Sequence, residues 1–352
     1  SYEKVLHGDP GYRKVEVTAQ GRNMRVLESQ APVPARNLYL TIDAQLQRVA
    51  VEALGEENGA VVAIEPDTGE VLAMASRPGF DPNPFVTGID PVAYADLTTS
   101  REKPMFNRAI RGRYPPGSTV KPFLGFAAME ADRPFGPDGV ECHGVYRLPG
   151  TSRRFRDWKR RGHGRTPLKK AIEESCDVYF YKLAVELGIQ RIHDALTRFG
   201  FGSRTGIDIA GERSGLVPSP EWKRKVYGES WYRGETVISG IGQGFTLVTP
   251  LQLAQGAATI ARRGRWIEPR LVQATEDPLT HERQRLEPTE GEPVEIGPGA
   301  DWQTIIDAMR DVVHGDHGTA RGIGWDAPYR IAGKTGTTQV FGLAEGEAYK
   351  QD

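Results

Sequence analysis

Apolar residues recur at helical spacing in several parts of the chain. After Asp43 they stand three and four positions apart as far as Leu54, which predicts an amphipathic helix that Asp43 caps and Gly55 ends. The same spacing predicts a helix over residues 302–313. Another helix is predicted to begin after Thr249, because the Thr-Pro-Leu-Gln string there supplies a cap, a first-turn proline and a capping-box glutamine.

Other apolar runs have the composition of strands. Residues 60–64 and 70–74 are continuous apolar runs rich in residues that favour strands. The Pro-Asp-Thr-Gly string at 66–69 between them consists of residues that favour a turn. This predicts a hairpin over Gly59 to Ser76 whose strands are covered on both faces. We also predict short strands at residues 37–41 and 329–332.

The order of these elements predicts an α/β chain of the α+β type. Strands lie towards both ends, and residues 118–265 between them are predicted to be mostly helical with long loops. We therefore expect an antiparallel sheet sandwiched by helices. Residues 1–37 are polar and are interpreted as a linker or part of a small accessory domain. Residues 38–352 are interpreted as one large domain.

Charge and composition exclude some classes of function. The 352 residues include 45 Lys and Arg against 46 Asp and Glu, a net charge of -1, which argues against a nucleic-acid-binding protein. Basic clusters at 153–156 and 159–161 are interpreted as solvated loops. No apolar run approaches the length of a membrane span. Because the chain begins in a polar segment without Met, we expect any membrane anchor to lie upstream.

The string Pro-Pro-Gly-Ser-Thr-Val-Lys-Pro at 115–122 carries the first candidate chemistry. Pro-Pro-Gly cannot continue a helix and Pro122 is tolerated only in a first turn, so a helix is predicted to begin at Ser118. Lys121 then lies on the same helical face as Ser118. A neutral Lys121 amine would take the proton of the Ser118 hydroxyl, provided that burial or nearby cations lower its pKa.

Two further strings are uninformative alone. Ser-Cys-Asp at 175–177 is, by itself, most often a helix cap. Lys-Thr-Gly-Thr at 334–337 follows a predicted strand, where Gly336 would let a substrate backbone approach and Lys334 would attract a carboxylate.

Both cysteines fall near the second string, with an acid and an imidazole between them. Cys142, Asp157, His163 and Cys176 together form a donor set that zinc accepts. Their spacing matches no zinc-finger pattern. A Cys142–Cys176 disulfide and two free buried thiols are the alternatives.

The three strings in this order resemble the serine penicillin-recognising enzymes, whose signature is Ser-x-x-Lys, Ser-Asp-Asn and Lys-Thr-Gly. The likeness runs from about residue 38. The flanks at 114–122, 241–244, 249–252 and 318–320 resemble class B penicillin-binding proteins. Asp177, where most relatives carry Asn, and the run from 332 to 342 resemble the elongation-type branch, penicillin-binding protein 2. In this family two more strands and a helix normally follow Lys-Thr-Gly, and we expect this sequence to lack them. Residues 1–37 resemble the last part of the family's pedestal module.

This resemblance implies a D,D-transpeptidase that cross-links the D-Ala-D-Ala stem peptides of peptidoglycan and reacts with β-lactams. Ser118 would attack the penultimate D-Ala carbonyl, and Lys121 would be the general base. Ser175 would relay a proton to the leaving amine, and Asp177 would orient Lys121 and the substrate amide. The substrate carboxylate would be held by Lys334, Thr335 and Thr337, beside Gly336, and the backbone N–H groups of Ser118 and Thr337 would form the oxyanion hole.

The same branch implies a structural zinc ion on Cys142, Asp157, His163 and Cys176, which would tie the 140–165 loop to the Ser175 turn. Cys142 stands where the family would have Asp. The resemblance also implies an inner-membrane protein with a periplasmic catalytic domain. Its expected partners are a membrane glycosyltransferase and rod-complex scaffold proteins. A class D-like β-lactamase, a β-lactam sensor domain and a cell-division transpeptidase remain alternatives.

Overall fold

The computed structural model describes residues 2–131 and 135–338, and it contains short antiparallel strands and many helices. In chain order the helices are α1 Glu3–His7, α2 Ala44–Leu54, α3 Pro84–Thr87, α4 Pro91–Thr99, α5 Arg108–Arg111, α6 Lys121–Glu130, α7 Leu168–Glu173, α8 Asp177–Arg198, α9 Pro220–Tyr227, α10 Arg233–Ser239, α11 Pro250–Ala261, α12 Trp302–His314 and α13 Arg321–Gly324. The strands are β1 Tyr12–Val17, β2 Asn23–Gln30, β3 Asn37–Leu40, β4 Gly59–Ile64, β5 Val71–Arg77, β6 Val140–Cys142, β7 Val145–Arg147, β8 Arg154–Arg156, β9 Gly164–Thr166, β10 Val272–Glu276 and β11 Arg283–Arg285.

The chain divides into two compact units. The first comprises residues 1–105, 206–212 and 267–291. Here β1 pairs with β2, β4 pairs with β5, and β10 lies between β3 and β11, all antiparallel. Helix α2 packs on the β4–β5 hairpin around a small core of Ala50, Ala73 and Ala75.

The second unit comprises residues 106–205, 213–266 and 292–352. Its core is built on α6, in which all nine residues from Lys121 to Met129 are buried, packed against α8. Phe123 contacts Phe199 and Phe201 edge to face, with ring centroids 5.0 and 4.8 Å apart. Burying aromatic side chains of this size is a large source of stability, so α6 is firmly anchored behind its N-terminal end.

Most of the predicted local structure is confirmed. Asp43 caps α2 by accepting from two backbone N–H groups, and α2 ends at Gly55. Thr249 forms the predicted capping box with Gln252. The 59–76 hairpin and the helix predicted over 302–313 are present. The mixed α/β class with antiparallel strands is also confirmed, although the described strands are divided among five small sheets.

Two predictions are wrong, one about where a helix begins and one about a strand. The α-helix begins at Lys121, because Gly117–Val120 form a 3₁₀ turn ahead of it. Residues 329–332 are not a strand, since no neighbouring strand among the described residues pairs with them. The four three-residue strands between 140 and 166 were not predicted, because runs so short leave no clear period in the sequence.

Within the described residues, no helix combines the length and the apolar character needed to span a bilayer.

Candidate active site

Ser118 lies in the 3₁₀ turn that leads into α6. Gly117, before it, has a φ of 57° and donates its N–H to the carbonyl of Gly242 at 3.0 Å. A Cβ on Gly242 would lie 2.3 Å from the Gly117 oxygen, so only glycine permits this approach. The turn carrying Ser118 is therefore fixed from two sides, by α6 and by the Gly242 loop. Among the described residues, the half-buried Ser118 hydroxyl has no hydrogen-bond partner.

Lys121, the first residue of α6, has a fully buried side chain. Its Nζ donates to Asp177 Oδ1 at 2.7 Å, to the Ser175 carbonyl at 2.9 Å and to Ser175 Oγ at 3.2 Å. All three N–H directions of an ammonium group are thereby used, so the position of the Lys121 amine is defined by the Ser175–Asp177 turn.

Ser175 has a φ of 55°, in the left-handed region that residues other than glycine seldom adopt. Such a conformation costs about 1–2 kcal/mol, and residues with stored strain of this kind concentrate at functional sites. The turn is stabilised because Cys176 caps α8, with its Sγ accepting from the N–H of Tyr179 at 3.5 Å. The strain aims Ser175 Oγ at both lysines of the site.

Lys334 also contacts Ser175. Its Nζ donates to Ser175 Oγ at 2.9 Å and to the Thr335 carbonyl at 3.0 Å. Burial and the positive charge of Lys121 lower the pKa of Lys334 to about 7, against the opposing effect of Asp177. Lys334 thus has an amine that changes charge near neutral pH.

Residues 336–338 lie alongside the Ser118 turn. Thr338 Oγ1 donates to the carbonyl of Pro115 at 2.8 Å, and Gln243 Nε2 donates to the carbonyl of Thr337 at 3.4 Å. A Cβ on Gly336 would lie 2.7 Å from Thr119 Cγ2, so the absence of a side chain at 336 allows the two segments to meet.

The structure brings the predicted site residues of the three strings into one neighbourhood. Ser175 links Lys121 to Lys334, and Gly336–Thr338 lie against the turn of Ser118. Such a cluster offers a hydroxyl near a helix end, two amines and a relay hydroxyl, which are the components of nucleophilic acyl transfer.

Sequence reasoning missed several residues that shape this site. Thr319 Oγ1 lies 2.7 Å from Thr335 Oγ1 and fixes that hydroxyl. Gln243 and Trp158 contact the Thr337 carbonyl and the Ser175 carbonyl, respectively. Thr319 and Gln243 stand in strings that were noted only as flanks, whereas a lone tryptophan in a basic loop gives no signal of its position.

The four candidate metal ligands also converge. Cys142, Asp157, His163 and Cys176 are buried, and their ligand atoms lie within 4.8 Å of one another. Cys142 Sγ is 3.6 Å from both His163 Nδ1 and Asp157 Oδ2, and Cys176 Sγ is 3.4 Å from Asp157 Oδ2. Both cysteines are free thiols in the structure. Asp157 Oδ2 also accepts from the first two N–H groups of α8, so the cluster adjoins the Ser175 turn.

Protonation of this cluster is strongly perturbed. The hydrogen bond from Cys176 lowers the pKa of Cys142 to about 5, and the same bond together with burial raises that of Cys176. Burial would lower the pKa of His163, but its hydrogen bonds to Asp157 and Cys142 outweigh this and raise the pKa to about 9. His163 Nε2 is buried without a hydrogen-bond partner and lies 3.9 Å from Glu174 Oε2.

Nearly the whole chain is similar to known proteins. The family profile for the penicillin binding protein transpeptidase domain matches residues 59–352. The chain is 43% identical to peptidoglycan D,D-transpeptidase MrdA of Acinetobacter baumannii, covering 100% of this chain and 52% of the relative. It is 40% identical to MrdA of Escherichia coli K12, covering 99% and 55%, and 30% identical to E. coli FtsI, covering 97% and 52%. The chain thus spans about half the length of the curated relatives it matches.

Solved structures give the same result. A Pseudomonas aeruginosa PBP2 in complex with WCK 5153 superimposes with a TM-score of 0.81 and 46% identity, covering 88% of this chain and 66% of that one. Helicobacter pylori PBP2 in complex with MreC superimposes with a TM-score of 0.83 and 31% identity, covering 96% and 61%. On the site, the fold and these likenesses together, the chain belongs to the penicillin-binding protein transpeptidase domain family, among relatives of the class B elongation type.

Proposed function

We propose that this chain is the catalytic part of a peptidoglycan D,D-transpeptidase that cross-links stem peptides during cell elongation. The observation that carries the proposal is the position of Ser175 Oγ, which accepts from Lys121 Nζ at 3.2 Å and Lys334 Nζ at 2.9 Å beside the Ser118 turn. Identities of 40–43% to MrdA proteins against 30% to FtsI favour elongation over division.

Acylation would begin at Ser118. Its Oγ attacks the carbonyl carbon of the penultimate D-Ala while the Lys121 amine, in its neutral form, takes the hydroxyl proton. The backbone N–H groups of Ser118 and Thr337 would donate to the developing oxyanion. The C–N bond then breaks, and the departing amine of the terminal D-Ala receives a proton through Ser175. An acyl ester on Ser118 remains.

Deacylation would transfer the peptide to an amine. The amine of a neighbouring stem peptide attacks the ester carbon and gives a proton to the neutral Lys121 amine. The C–O bond of the ester then breaks, and Ser118 Oγ takes that proton from Lys121 to become a hydroxyl again. Excluding water from the ester favours this transfer over hydrolysis. Asp177, paired with Lys121 Nζ at 2.7 Å, would orient that amine at each step.

The carboxylate of the terminal D-Ala, or of a β-lactam, would be bound by Lys334, Thr335 and Thr337. Lys334 supplies the positive charge, and the hydroxyl of Thr335 is held by Thr319. A cation with flanking hydroxyl donors is a strong arrangement for binding a carboxylate.

We further propose that the four-residue cluster binds a structural zinc ion. Tetrahedral zinc with bonds of about 2.0–2.3 Å requires ligand atoms about 3.5 Å apart, which agrees with the 3.4–3.6 Å separations of three ligand-atom pairs in the cluster. Cys142, Asp157, His163 and Cys176 would hold it. The ion would cross-link the loop to the start of α8 and would take no part in acyl transfer.

The cellular setting is proposed from the relatives. We infer a periplasmic catalytic domain, residues 38–352, with residues 1–37 belonging to a pedestal module, and an inner-membrane anchor in the whole protein. Helicobacter pylori PBP2 has been solved with MreC, and another similar structure, 34% identical, is described as a peptidoglycan synthase complex that coordinates polymerization and crosslinking. A scaffold protein and a membrane glycosyltransferase are therefore the proposed partners.

Mass spectrometry after incubation with benzylpenicillin tests the proposal. We expect one covalent adduct on the peptide that contains Ser118, persisting for many minutes, and none on Ser118→Ala. An adduct on another residue, or no adduct on the wild-type chain, would contradict the proposal. Rapid release of hydrolysed penicillin would indicate a β-lactamase instead.

A further inference from the structure

Trp158 is an exposed aromatic residue at the edge of the active site, and the proposed reaction has no use for its ring. The side chain is 58% exposed, so it contributes little to the core. Its polar groups nevertheless point inward. The indole Nε1–H donates to the carbonyls of Glu174 at 3.1 Å and Ser175 at 3.2 Å, and the backbone N–H donates to Asp177 Oδ2 at 3.3 Å.

These acceptors are the ones that also hold Lys121. The Ser175 carbonyl accepts from Lys121 Nζ at 2.9 Å and from the Trp158 indole. The Asp177 carboxylate faces Lys121 with Oδ1 and the Trp158 backbone with Oδ2. Removing the indole donor would therefore loosen the groups that position the amine of Lys121, without changing the amine itself.

The conformation of Ser175 makes that donor important. With a φ of 55°, Ser175 keeps its strained conformation only while surrounding contacts outweigh the strain. Two donors on its carbonyl, from Lys121 at 2.9 Å and Trp158 at 3.2 Å, are such contacts. If one is lost, the turn gains freedom to relax and carry Ser175 Oγ away from the two lysines.

The sequence neighbours of Trp158, Asp157 and Lys159, also contact the segment from Glu174 to Val178. Asp157 accepts from the N–H groups of Asp177 and Val178, and Lys159 Nζ bonds Glu174 Oε2 at 2.9 Å. Three consecutive residues thus contact the 174–178 segment, and the indole is presented to Ser175 by a fixed backbone.

We propose that Trp158 is a positioning residue for acylation: its indole N–H holds the Ser175 carbonyl and, through it, the alignment of Ser175 and Lys121 with Ser118. This inference rests on the proposed acyl transfer. It assigns to a surface tryptophan a role in the rate of the chemical step and none in binding the substrate carboxylate.

Acylation kinetics of Trp158→Phe with a chromogenic β-lactam test the inference. Phenylalanine keeps an aromatic ring and the backbone N–H, and it removes the indole donor with the five-membered part of the ring. Saturation of the acylation rate separates the dissociation constant of the first complex from the rate constant of acylation. We expect the rate constant to fall about tenfold, the effect of one lost hydrogen-bond donor, with the dissociation constant within about twofold of wild type.

Trp231→Phe is the matched control. The Trp231 indole N–H is also a hydrogen-bond donor, to Thr236 Oγ1 at 2.8 Å, in a different part of the second unit. We expect both kinetic constants of this variant to stay within about twofold of wild type. Melting temperatures of both variants are measured alongside, since a general loss of packing would lower them.

An unchanged acylation rate constant in Trp158→Phe overturns the inference. So does a loss that appears in the dissociation constant, or that accompanies a comparable loss in Trp231→Phe. If wild type itself is not acylated, the proposed function fails together with this inference, whereas wild-type acylation with no effect of Trp158→Phe removes the positioning role alone.

Discussion

At the residue scale, the site depends on how two amines, the buried Lys121 and the half-buried Lys334, share one hydroxyl. Lys121 has a carboxylate partner, Asp177, at 2.7 Å, whereas the acceptors of Lys334 are hydroxyl and carbonyl oxygens. The pKa of Lys334 is lowered to about 7 because burial and the positive charge of Lys121 both disfavour its cationic form. A carboxylate bound beside Lys334 would favour the cationic form.

The lowered pKa of Lys334 predicts that substrate binding depends on pH. As the pH rises through 7, Lys334 loses its proton and with it the attraction for a carboxylate. The dissociation constant of the first complex with a penicillin should therefore increase roughly fivefold between pH 7 and 8 for a group of this pKa. The measurement is the pH profile of that constant from saturation of acylation.

Lys334→Arg provides the control, because a guanidinium stays charged throughout this range. The variant should show a dissociation constant that is nearly flat from pH 6 to 8, whatever its absolute value. A flat profile in the wild type would show that the charge of Lys334 does not govern binding.

At the element scale, the catalytic turn is built from close backbone contacts. Gly117 and Gly242 each have positive φ, 57° and 67°, and the two backbones meet where a side chain would collide. The Gly242 loop also presents Gln243 to the Thr337 carbonyl. The geometry around Ser118 is thus set by a loop about 120 positions away in sequence.

Gly242→Ala should slow acylation at least tenfold, because its Cβ would lie 2.3 Å from the Gly117 oxygen and must displace the Ser118 turn. Gly228→Ala is the matched comparison. Gly228 has a φ of 70° but no atom within 4 Å of an added Cβ, so it shares the backbone strain without the collision. It should lose about 1 kcal/mol of stability with an unchanged acylation rate. Equal acylation rates in the two variants would contradict the account of this turn.

How far the sequence predicts these elements depends on how local their causes are. The caps of α2 and α11 were predictable because Asp43 and Thr249 act on residues two and three positions away. The strand predicted at 329–332 is not formed in the described part of the chain. A strand exists only with a partner, and partners are set by tertiary structure. The start of α6 was displaced by three residues because the Ser118 turn adapts to the Gly242 loop.

At the scale of the whole molecule, the second unit joins distant parts of the chain at two neighbouring centres. The Ser-x-x-Lys, Ser-x-Asp and Lys-Thr-Gly strings meet at Ser175, and Cys142, Asp157, His163 and Cys176 meet beside it. Family resemblance predicted both sets of residues. The contacts that orient them were not predictable, because Trp158 and Thr319 act through tertiary hydrogen bonds that leave no trace in residue spacing.

Metal content tests the second centre. Protein purified without added metal should contain about one zinc ion per chain, with both thiols reduced, and prolonged chelation should lower its melting temperature because the ion binds only the folded chain. His163→Ala should lose the zinc. His193→Ala should keep it, since His193 Nδ1 faces the Pro218 carbonyl instead. Absence of zinc with Cys142 and Cys176 oxidised would establish a disulfide in its place.

The most direct test of the central claim is a crystal structure of the chain after reaction with benzylpenicillin. The account predicts an ester on Ser118 Oγ, its carbonyl oxygen within hydrogen-bond distance of the N–H groups of Ser118 and Thr337, and the penicillin carboxylate beside Lys334 and Thr335. An ester on another residue, or a carboxylate bound away from Lys334, would contradict it.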